Sequence, residues 1–183
     1  MNRNKTMMLF FVASEAFFFL ALIVSYVYYS HPGGKLSSTA AYLDFKRTAI
    51  FSVLLFSSSF TIAMAENRFK KGKQNGLAAW LIATIVLGGV FLFGQGSEYL
   101  KLARLNVTIS RDVFGSAFFT LTGFHGLHVL LGLVVLIVVT SMVVSGRFKS
   151  LENSAIESAS IYWHFVDAVW IVVFSVVYIG AVI

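Results

Sequence analysis

Five long apolar blocks constrain the fold of this chain more than any other feature of its sequence. They cover approximately residues 7–29, 48–65, 76–102, 113–145 and 159–183. A helix needs ~20 predominantly apolar residues to cross a bilayer, whereas a strand of a membrane barrel needs only ~10 residues of alternating polarity. The blocks are too long for barrel strands and do not alternate. The sequence therefore predicts an all-α integral membrane protein, in which residues 1–183 form a single domain of five transmembrane helices.

Two of the blocks carry further information about their place in the bundle. The second block is short and rich in serine, so we expect it inside the bundle, where hydroxyl groups can bond to backbone carbonyls or neighbouring helices. The fourth block is longer than a perpendicular crossing requires. We therefore expect that helix to tilt or to project beyond the bilayer.

The charged residues are few and lie mainly between the apolar blocks. They make up 12% of the chain, against ~25% in soluble domains. The net charge of +6 comes from Lys and Arg residues whose positions suit lipid headgroups at helix ends. We therefore expect membrane lipids, and no nucleic acid, among the partners of this protein.

The distribution of Lys and Arg predicts how the helices are oriented. The N-terminal tail and the 66–75 and 146–158 loops carry eight of these residues, and the 30–47 and 98–112 loops carry six. Cytoplasmic loops carry the excess of positive charge, so we expect a cytoplasmic N-terminus and an external C-terminus. The first block is longer than a signal-peptide core and has no small-residue cleavage pattern after it, so we expect it to be retained.

The absence of cysteine and the small number of histidines limit the redox chemistry of this chain. Without cysteine there are no disulfides, thiolate iron–sulfur clusters, Cys-ligated copper or covalently attached c-type haem. Of the 4 histidines, only His125, His128 and His164 lie within apolar blocks. A catalytic copper or zinc needs about three strong protein ligands. We therefore favour hydrogen-bonding histidines over metal or haem ligands, and expect no cofactor and no metal in this chain.

Two carboxylates lie where lipid should exclude them. An ionised carboxylate near the bilayer centre costs at least ~2.5–3.5 kcal/mol. Glu15 lies inside the first block, ~12 Å along the helix axis, and either links two helices by a hydrogen bond or relays protons. Glu98 lies near the end of the third block, where it opposes the helix macrodipole. It either has a partner in the bundle or extends to the membrane interface.

The fourth and fifth blocks carry the remaining candidate polar residues. His125 and His128 share one side of a helix because of their i, i+3 spacing. Gly132 is in line with them, and Gly126 permits close approach of a neighbouring helix.

In the fifth block, Trp163, Asp167 and Trp170 form one stripe at helical spacing, with His164 at its flank. We expect Asp167 to be a second buried carboxylate, with His164 as its nearest partner in the sequence. Burial against another protein surface explains this stripe better than exposure to lipid.

Several stretches of the chain, in order and covering nearly its whole length, resemble cytochrome c oxidase subunit III and its quinol-oxidase counterpart. The matching runs are SEAFFF (14–19), LLFSSSFTIAMA (54–65), SEYLKL (97–102), FGSAFFTLTGFHGLHVLLG (114–132) and YWHFVDAVWIVVF (162–174). The TGFHGLHV and YWHFVD segments are the most specific of these. By this resemblance, Glu15 matches the family's buried glutamate, and Glu98, His125, His128, Trp163, His164 and Asp167 match its polar signature.

The resemblance implies an accessory subunit that flanks the catalytic subunit I of a haem–copper terminal oxidase and holds no redox centre itself. Haem and copper are then expected in partner subunits, and the chain alone is expected to be non-catalytic. In that family the subunit stabilises subunit I against turnover inactivation, binds phospholipid and has been linked to proton uptake and oxygen access. Other oxidase subunits and a larger respiratory supercomplex are further expected partners. The electron donor, cytochrome c or quinol, stays open because donor sites lie on other subunits.

The chain differs from the long, seven-helix form of the family. Its first block corresponds to the third helix of that form, so the lipid cleft of the long form is expected to be absent or completed by another chain. Five-helix forms are typical of bacterial oxidases, which points to the bacterial cytoplasmic membrane.

Two other functions remain as alternatives. One is an independent haem-binding membrane cytochrome that uses His125, His128 and His164. The other is a small proton-coupled transporter built around Glu15 and Asp167, although the chain lacks the internal repeats and broken-helix signals common in transporters. Measurements on the isolated protein distinguish these alternatives, since only a cytochrome would bind haem and only a transporter would move substrate.

Overall fold

The structure is a computed structural model, and it describes residues 3–30, 42–73, 75–110, 113–145 and 153–180. The helices in these ranges are α1 (Arg3–Ser30), α2 (Phe45–Lys70), α3 (Leu77–Arg104), α4 (Val113–Val144) and α5 (Asn153–Phe174), the last continuing as a π-helical turn (Ser175–Ile179). Each of the five is long and apolar enough to cross a membrane. The all-α class and the five membrane-spanning helices are confirmed.

The ends of α2 follow from capping rather than from hydropathy. The Asp44 carboxylate accepts a hydrogen bond from the backbone N–H of Arg47, which satisfies one of the free donors of the first turn. Arg68 and Lys70 lie in the last turn, where positive charge is favourable. As a result, α2 extends beyond its apolar block at both ends.

The length of α4 exceeds the thickness of a bilayer core. Its 32 residues span ~48 Å at 1.5 Å per residue, against ~30 Å for the hydrocarbon layer. This helix must tilt or project, in agreement with its apolar length.

The helices α4 and α5 form the centre of the bundle. The helix α5 packs against α1, α2 and α4, and α4 also packs against α1 and α3. The pair α2 and α3 makes the most extensive contact, and the hydroxyl groups of Thr61 and Thr84 lie 2.7 Å apart within it. The helix α1 lies at the edge, where most of its apolar side chains remain exposed in the single chain.

Glycines let the central helices approach one another around a single tryptophan. Trp163 of α5 is fully buried, and a Cβ atom placed on Gly88 of α3 or on Gly132 of α4 would come within 2.7 Å and 2.9 Å of its ring, respectively. A larger residue at either position would therefore separate the helices. The indole of Trp163 fills the space where α3, α4 and α5 meet.

Candidate functional site

Glu15 forms a hydrogen bond that joins the first and fourth helices. Its Oε2 atom lies 3.0 Å from Nε2 of His128, and the other ring nitrogen of His128 lies 2.7 Å from the carbonyl oxygen of Phe124. The ring of Phe19 packs edge-on against the imidazole at 4.9 Å. The half-buried Glu15 and the buried His128 thus satisfy each other at depth in the membrane. Of the two interpretations of Glu15, a hydrogen bond between helices has direct geometric support.

Glu98 is buried and receives hydrogen bonds from three sides. It is 4% exposed, and its Oε2 atom accepts hydrogen bonds from the hydroxyls of Tyr178 at 2.7 Å and Thr48 at 3.1 Å. The backbone N–H of Asp44 donates to Oε1 at 3.3 Å. These donors offset the unfavourable position of a carboxylate near a helix C-terminus. Glu98 therefore joins α3 to α2 and to the π-helical turn after α5.

Charged side chains surround this cluster at the membrane surface. Lys101 donates to the Asp44 carboxylate at 3.1 Å, and the Arg47 guanidinium donates to the hydroxyl of Ser97 at 2.9 Å. The hydrogen bond from the Arg47 backbone N–H lowers the pKa of Asp44, and Lys101 adds to this effect against the opposing effect of burial. The α2–α3 end of the bundle thus carries a dense group of charged side chains, in which Lys101 and Asp44 form an ion pair.

His125 has different surroundings from His128. It is completely buried, and its ring stacks on the indole of Trp170 with the centroids 4.7 Å apart. Neither of its ring nitrogens has a hydrogen-bond partner among the described residues. The i, i+3 spacing thus places one histidine against α1 and the other against α5.

Asp167 and His164 share the hydroxyl of Ser59 on α2. Ser59 donates a short hydrogen bond to Oδ2 of Asp167, and its hydroxyl lies 3.1 Å from Nδ1 of His164. Asp167 is 3% exposed, and its Oδ1 atom has no partner among the described residues.

The side chain of His164 is exposed in the single chain, so its expected burial depends on a neighbouring protein surface and stays a prediction. Its Nδ1 atom faces Ser59 of α2, while the side chain as a whole remains accessible. We call Ser59, His164 and Asp167 the α2–α5 polar cluster.

The tryptophans of α5 are anchored by serines of α2. Trp163 donates from its indole nitrogen to Ser58, and Trp170 donates to Ser52, each at 2.8 Å. The two serines complete their own hydrogen bonds on carbonyl groups of α2. This arrangement accounts for a serine-rich helix next to an aromatic one.

Gly126 faces a polar side chain of the third helix. A Cβ atom on Gly126 would lie 3.0 Å from the amide of Gln95. The amide nitrogen of Gln95 donates to the carbonyl oxygen of Thr122 at 2.6 Å and to the hydroxyl of Tyr99 at 3.1 Å. The small residue thus lets the Gln95 amide reach the backbone of α4.

The residues most easily missed in the sequence are the uncharged partners of the carboxylates and tryptophans. They are Thr48, Ser52, Ser58, Ser59, Gln95 and Tyr178. Serines and threonines are common in membrane helices, so composition does not separate these from Ser57, which is exposed and bonds only to its own helix. The spacing of Ser52 and Ser58 along α2 is close to that of Trp163 and Trp170 along α5. This similarity in spacing is the feature of the sequence that could have predicted the serine–tryptophan hydrogen bonds.

The ionisable residues of the bundle lie in separate places, and one carboxylate–imidazole pair, Glu15 and His128, is found among the described residues. Within the ranges that the structure describes, no three His, Asp or Glu side chains come together in a way that could hold a metal ion. Chemically, the arrangement can accept, hold and exchange protons between carboxylate and imidazole groups. It also fixes helices to one another.

Comparison with known proteins places these residues in a family. The sequence profile for "Cytochrome c oxidase subunit III" matches residues 2–182. The chain belongs to the cytochrome c oxidase subunit III family. It is therefore a subunit III of a haem–copper oxidase, with a role in the respiratory chain and a place in a membrane-bound oxidase complex. The redox centres of such an oxidase lie outside subunit III.

Named relatives agree with this placement. The chain is 35% identical to a probable cytochrome c oxidase subunit 3 of Mycobacterium leprae, over 91% of this chain and 83% of that protein. It is 35% identical to cytochrome c oxidase subunit 3 of Corynebacterium diphtheriae (92% and 83% covered) and 34% identical to that of Synechocystis sp. (92% and 72%).

Proposed function

We propose that this subunit III is a non-redox accessory subunit that directly contacts and stabilises the catalytic subunit I in a bacterial cytoplasmic membrane, and supports proton uptake by the oxidase. It acts there as one membrane domain with its N-terminus in the cytoplasm and its C-terminus outside. Haem and copper belong to the partner subunits. The family and the buried polar groups support this proposal.

The observation that carries the contact with subunit I is the α2–α5 polar cluster. His164 lies ~13 Å along the helix axis from the start of the fifth apolar span at Ala155, so an exposed imidazole there would meet hydrocarbon in the single chain. Ser59 satisfies only one nitrogen of the ring, and an unpaired polar group in hydrocarbon costs several kcal/mol. A neighbouring protein helix with a hydrogen-bonding group removes that cost, and the large membrane subunit of the same complex is the natural neighbour.

A photo-crosslinking amino acid at position 164 tests this contact in the assembled oxidase. We expect crosslinks from position 164 to subunit I. The matched control is position 93, since Phe93 is 73% exposed and lies on α3, whose main contacts are with α2 and α4. Crosslinks from position 164 to lipid alone would contradict the proposed interface.

The proposed support of proton uptake rests on ionisable side chains of the membrane-spanning helices. They are Glu15, Glu98, His125, His128, His164 and Asp167. The pair of Glu15 and His128, at 3.0 Å, has the geometry required for transfer between a carboxylate and an imidazole. The substitution Glu15→Gln tests this part of the proposal.

We also propose that a phospholipid chain occupies an apolar groove between α1, α4 and α5. Met8, Phe11, Leu131, Val135 and Tyr162 are among the residues that line it. Lys5, which pairs with Glu157 at 2.7 Å, lies one helical turn from Met8 and offers positive charge for a lipid headgroup. Native mass spectrometry of the purified oxidase should find retained phospholipid, and less of it when Leu131 is replaced by Trp.

Mass spectrometry can also identify the remaining partners of this chain. Mass spectrometry of the proteins that co-purify with this chain should identify a large, histidine-rich membrane subunit together with the other oxidase subunits. The same experiment determines whether a larger respiratory supercomplex is present and which electron donor, cytochrome c or quinol, the oxidase uses.

A further inference from the structure

A small cavity lies between α2, α3 and α5, below the charged end of the α2–α3 pair. It offers about 10 Å³ to the centre of a water molecule, close to the minimum of ~10–15 Å³ that one buried water needs. Arg47, Thr48, Gln95 and Glu98 form its polar side. Phe51, Phe91, Gly94 and Trp170 form its apolar side.

Gln95, one of the residues that line the cavity, has an unused hydrogen-bond acceptor. Its amide nitrogen is fully engaged with Thr122 and Tyr99, which fixes the orientation of the amide group. The Oε1 atom has no hydrogen-bond partner among the described residues, although Gln95 is only 8% exposed. A buried amide oxygen without a partner costs ~1–3 kcal/mol, so a donor at this position would stabilise the bundle.

Glu98 and Arg47 can each form a further hydrogen bond to a molecule that also bonds to Gln95. The Oε1 atom of Glu98 receives one long hydrogen bond, from the backbone N–H of Asp44 at 3.3 Å, and a carboxylate can accept about four in total. The guanidinium of Arg47 carries five N–H donors. A single water molecule can donate to Gln95 and Glu98 and accept from a neighbouring donor, which meets the usual ~2–4 contacts of a buried water.

We propose that this cavity binds one structural water molecule, which joins the Gln95 amide to the Glu98 and Arg47 side chains between α2 and α3. Gln95 lies nine residues before Arg104, the last residue of α3, so the water lies ~13 Å below the end of that helix. The site extends the hydrogen bonds of the charged α2–α3 end to the contact between α3 and α4. This inference concerns the interior of the chain and does not depend on which surface contacts subunit I.

Hydroxyl-radical labelling of the intact purified oxidase tests the site, because X-ray pulses generate radicals from bound water next to buried side chains. Trp170 and Phe91 line the cavity and are each 1% exposed. Trp163 and Phe118 are equally buried, at 0% and 1%, and are not among its lining residues. We expect Trp170 and Phe91 to be labelled several-fold faster than Trp163 and Phe118.

Substitution of Gln95 tests whether the amide oxygen holds the water. The substitution Gln95→Met keeps the length of the side chain and removes the acceptor, so labelling of Trp170 should fall to the rate of Trp163. The matched variant Gln95→Glu keeps an acceptor oxygen and should retain labelling. If Gln95→Met does not assemble, the comparison of the two tryptophans in the unmodified oxidase still decides the question.

Two results would overturn the proposal. The first is equal labelling rates for Trp170 and Trp163 in the unmodified oxidase, whether both are slow or both are fast. The second is an unchanged Trp170 rate in assembled Gln95→Met protein, which would assign any local water to other groups.

Discussion

Glu15 and Glu98 are both glutamates within membrane-spanning helices, and their neighbours give them different properties. Glu15 has one partner, His128, and keeps part of its surface exposed at the edge of the bundle. Glu98 has three donors and is buried. Removal of one hydrogen bond therefore affects a larger share of the contacts of Glu15, whereas removal of the Glu98 carboxylate leaves several buried donors unpaired.

The substitution Glu15→Gln should leave the oxidase assembled with its full haem content. Glutamine can still bond to His128, and hydrogen bonds between membrane helices contribute ~0.6 kcal/mol on average, so stability should fall by less than ~1 kcal/mol. We expect a modest change in proton-uptake kinetics. Haem absorbance, detergent resistance and proton uptake during turnover measure these effects, and Ser14→Ala, which changes the neighbouring residue, is the control. Complete loss of oxygen reduction in a fully assembled complex would contradict the accessory role.

The substitution Asp44→Ala should destabilise the protein at neutral pH by ~1 kcal/mol, the usual contribution of a helix N-cap. The folded-state pKa of Asp44 is lowered from 3.8. The stabilisation from its ionised form is therefore fully present above that pH and is lost as the pH falls through the lower, folded-state pKa. Unfolding free energies in mixed micelles at neutral and acid pH should show the difference between the two proteins shrinking in acid. Asp44→Asn, which keeps a capping group, should cost less at neutral pH.

At the scale of elements, the spacing between α3, α4 and α5 depends on which glycines face Trp163. Gly88 and its neighbour Gly89 lie side by side on α3 but have opposite environments. A Cβ atom on Gly88 would lie 2.7 Å from the Trp163 ring, whereas a Cβ atom on Gly89 would meet nothing within 4 Å. Substitutions at these two adjacent glycines therefore separate the effect of helix packing from the effect of helix propensity.

The substitution Gly88→Ala should destabilise the bundle by ~1–3 kcal/mol, since overpacking forces side chains or helices to shift. Gly89→Ala should be neutral or slightly stabilising, because alanine favours the helix more than glycine does. Unfolding of the purified oxidase in detergent, followed by the fluorescence of Trp163, measures both. Equal stabilities of the two variants would mean that α3 and α5 are farther apart than the structure places them.

The sequence predicts the helices better than it predicts their contacts. Long apolar blocks locate each membrane span because hydrocarbon thickness sets the required length. The Trp163–Trp170 stripe likewise indicates the buried side of α5. The hydrogen-bond partners of the residues in this stripe come from α2, at least 105 positions away in the sequence. Helical periodicity identifies a buried face, but it does not identify the element that covers it.

The exposure of His164 has a similar explanation. Its place beside a buried stripe predicts burial, but in the single chain the side chain is exposed although Ser59 of α2 lies against Nδ1. Likewise, the partner of Asp167 is the Ser59 hydroxyl of another helix, whereas the nearest candidate in the sequence was His164. Both differences arise because helix rotation is set by packing against neighbours.

At the scale of the whole molecule, we expect purified subunit III to be colourless. Its three intramembrane histidines are divided among different contacts, and His125 and His128 lie on one helix, so they cannot face each other across a haem. The isolated chain in detergent should therefore give no Soret band, while the complete oxidase in the same detergent gives a strong one. Haem absorbance in the isolated chain, at a stoichiometric amount, would instead favour the cytochrome alternative.

The edge position of α1 has a consequence for the order of events during synthesis. This helix is made before α4 and α5, on which it packs. The stretch between Ser30 and Val113 takes on the order of ten seconds to translate at ~5–20 residues per second. During that interval Glu15 is already in the membrane and His128 does not yet exist. The nascent chain must therefore tolerate an unmatched carboxyl group, at a cost of at least ~2.5–3.5 kcal/mol if ionised, which the surrounding run of phenylalanine and leucine offsets. An insertion factor that binds α1 during this delay would contact the nascent chain only and would be absent from the mature protein.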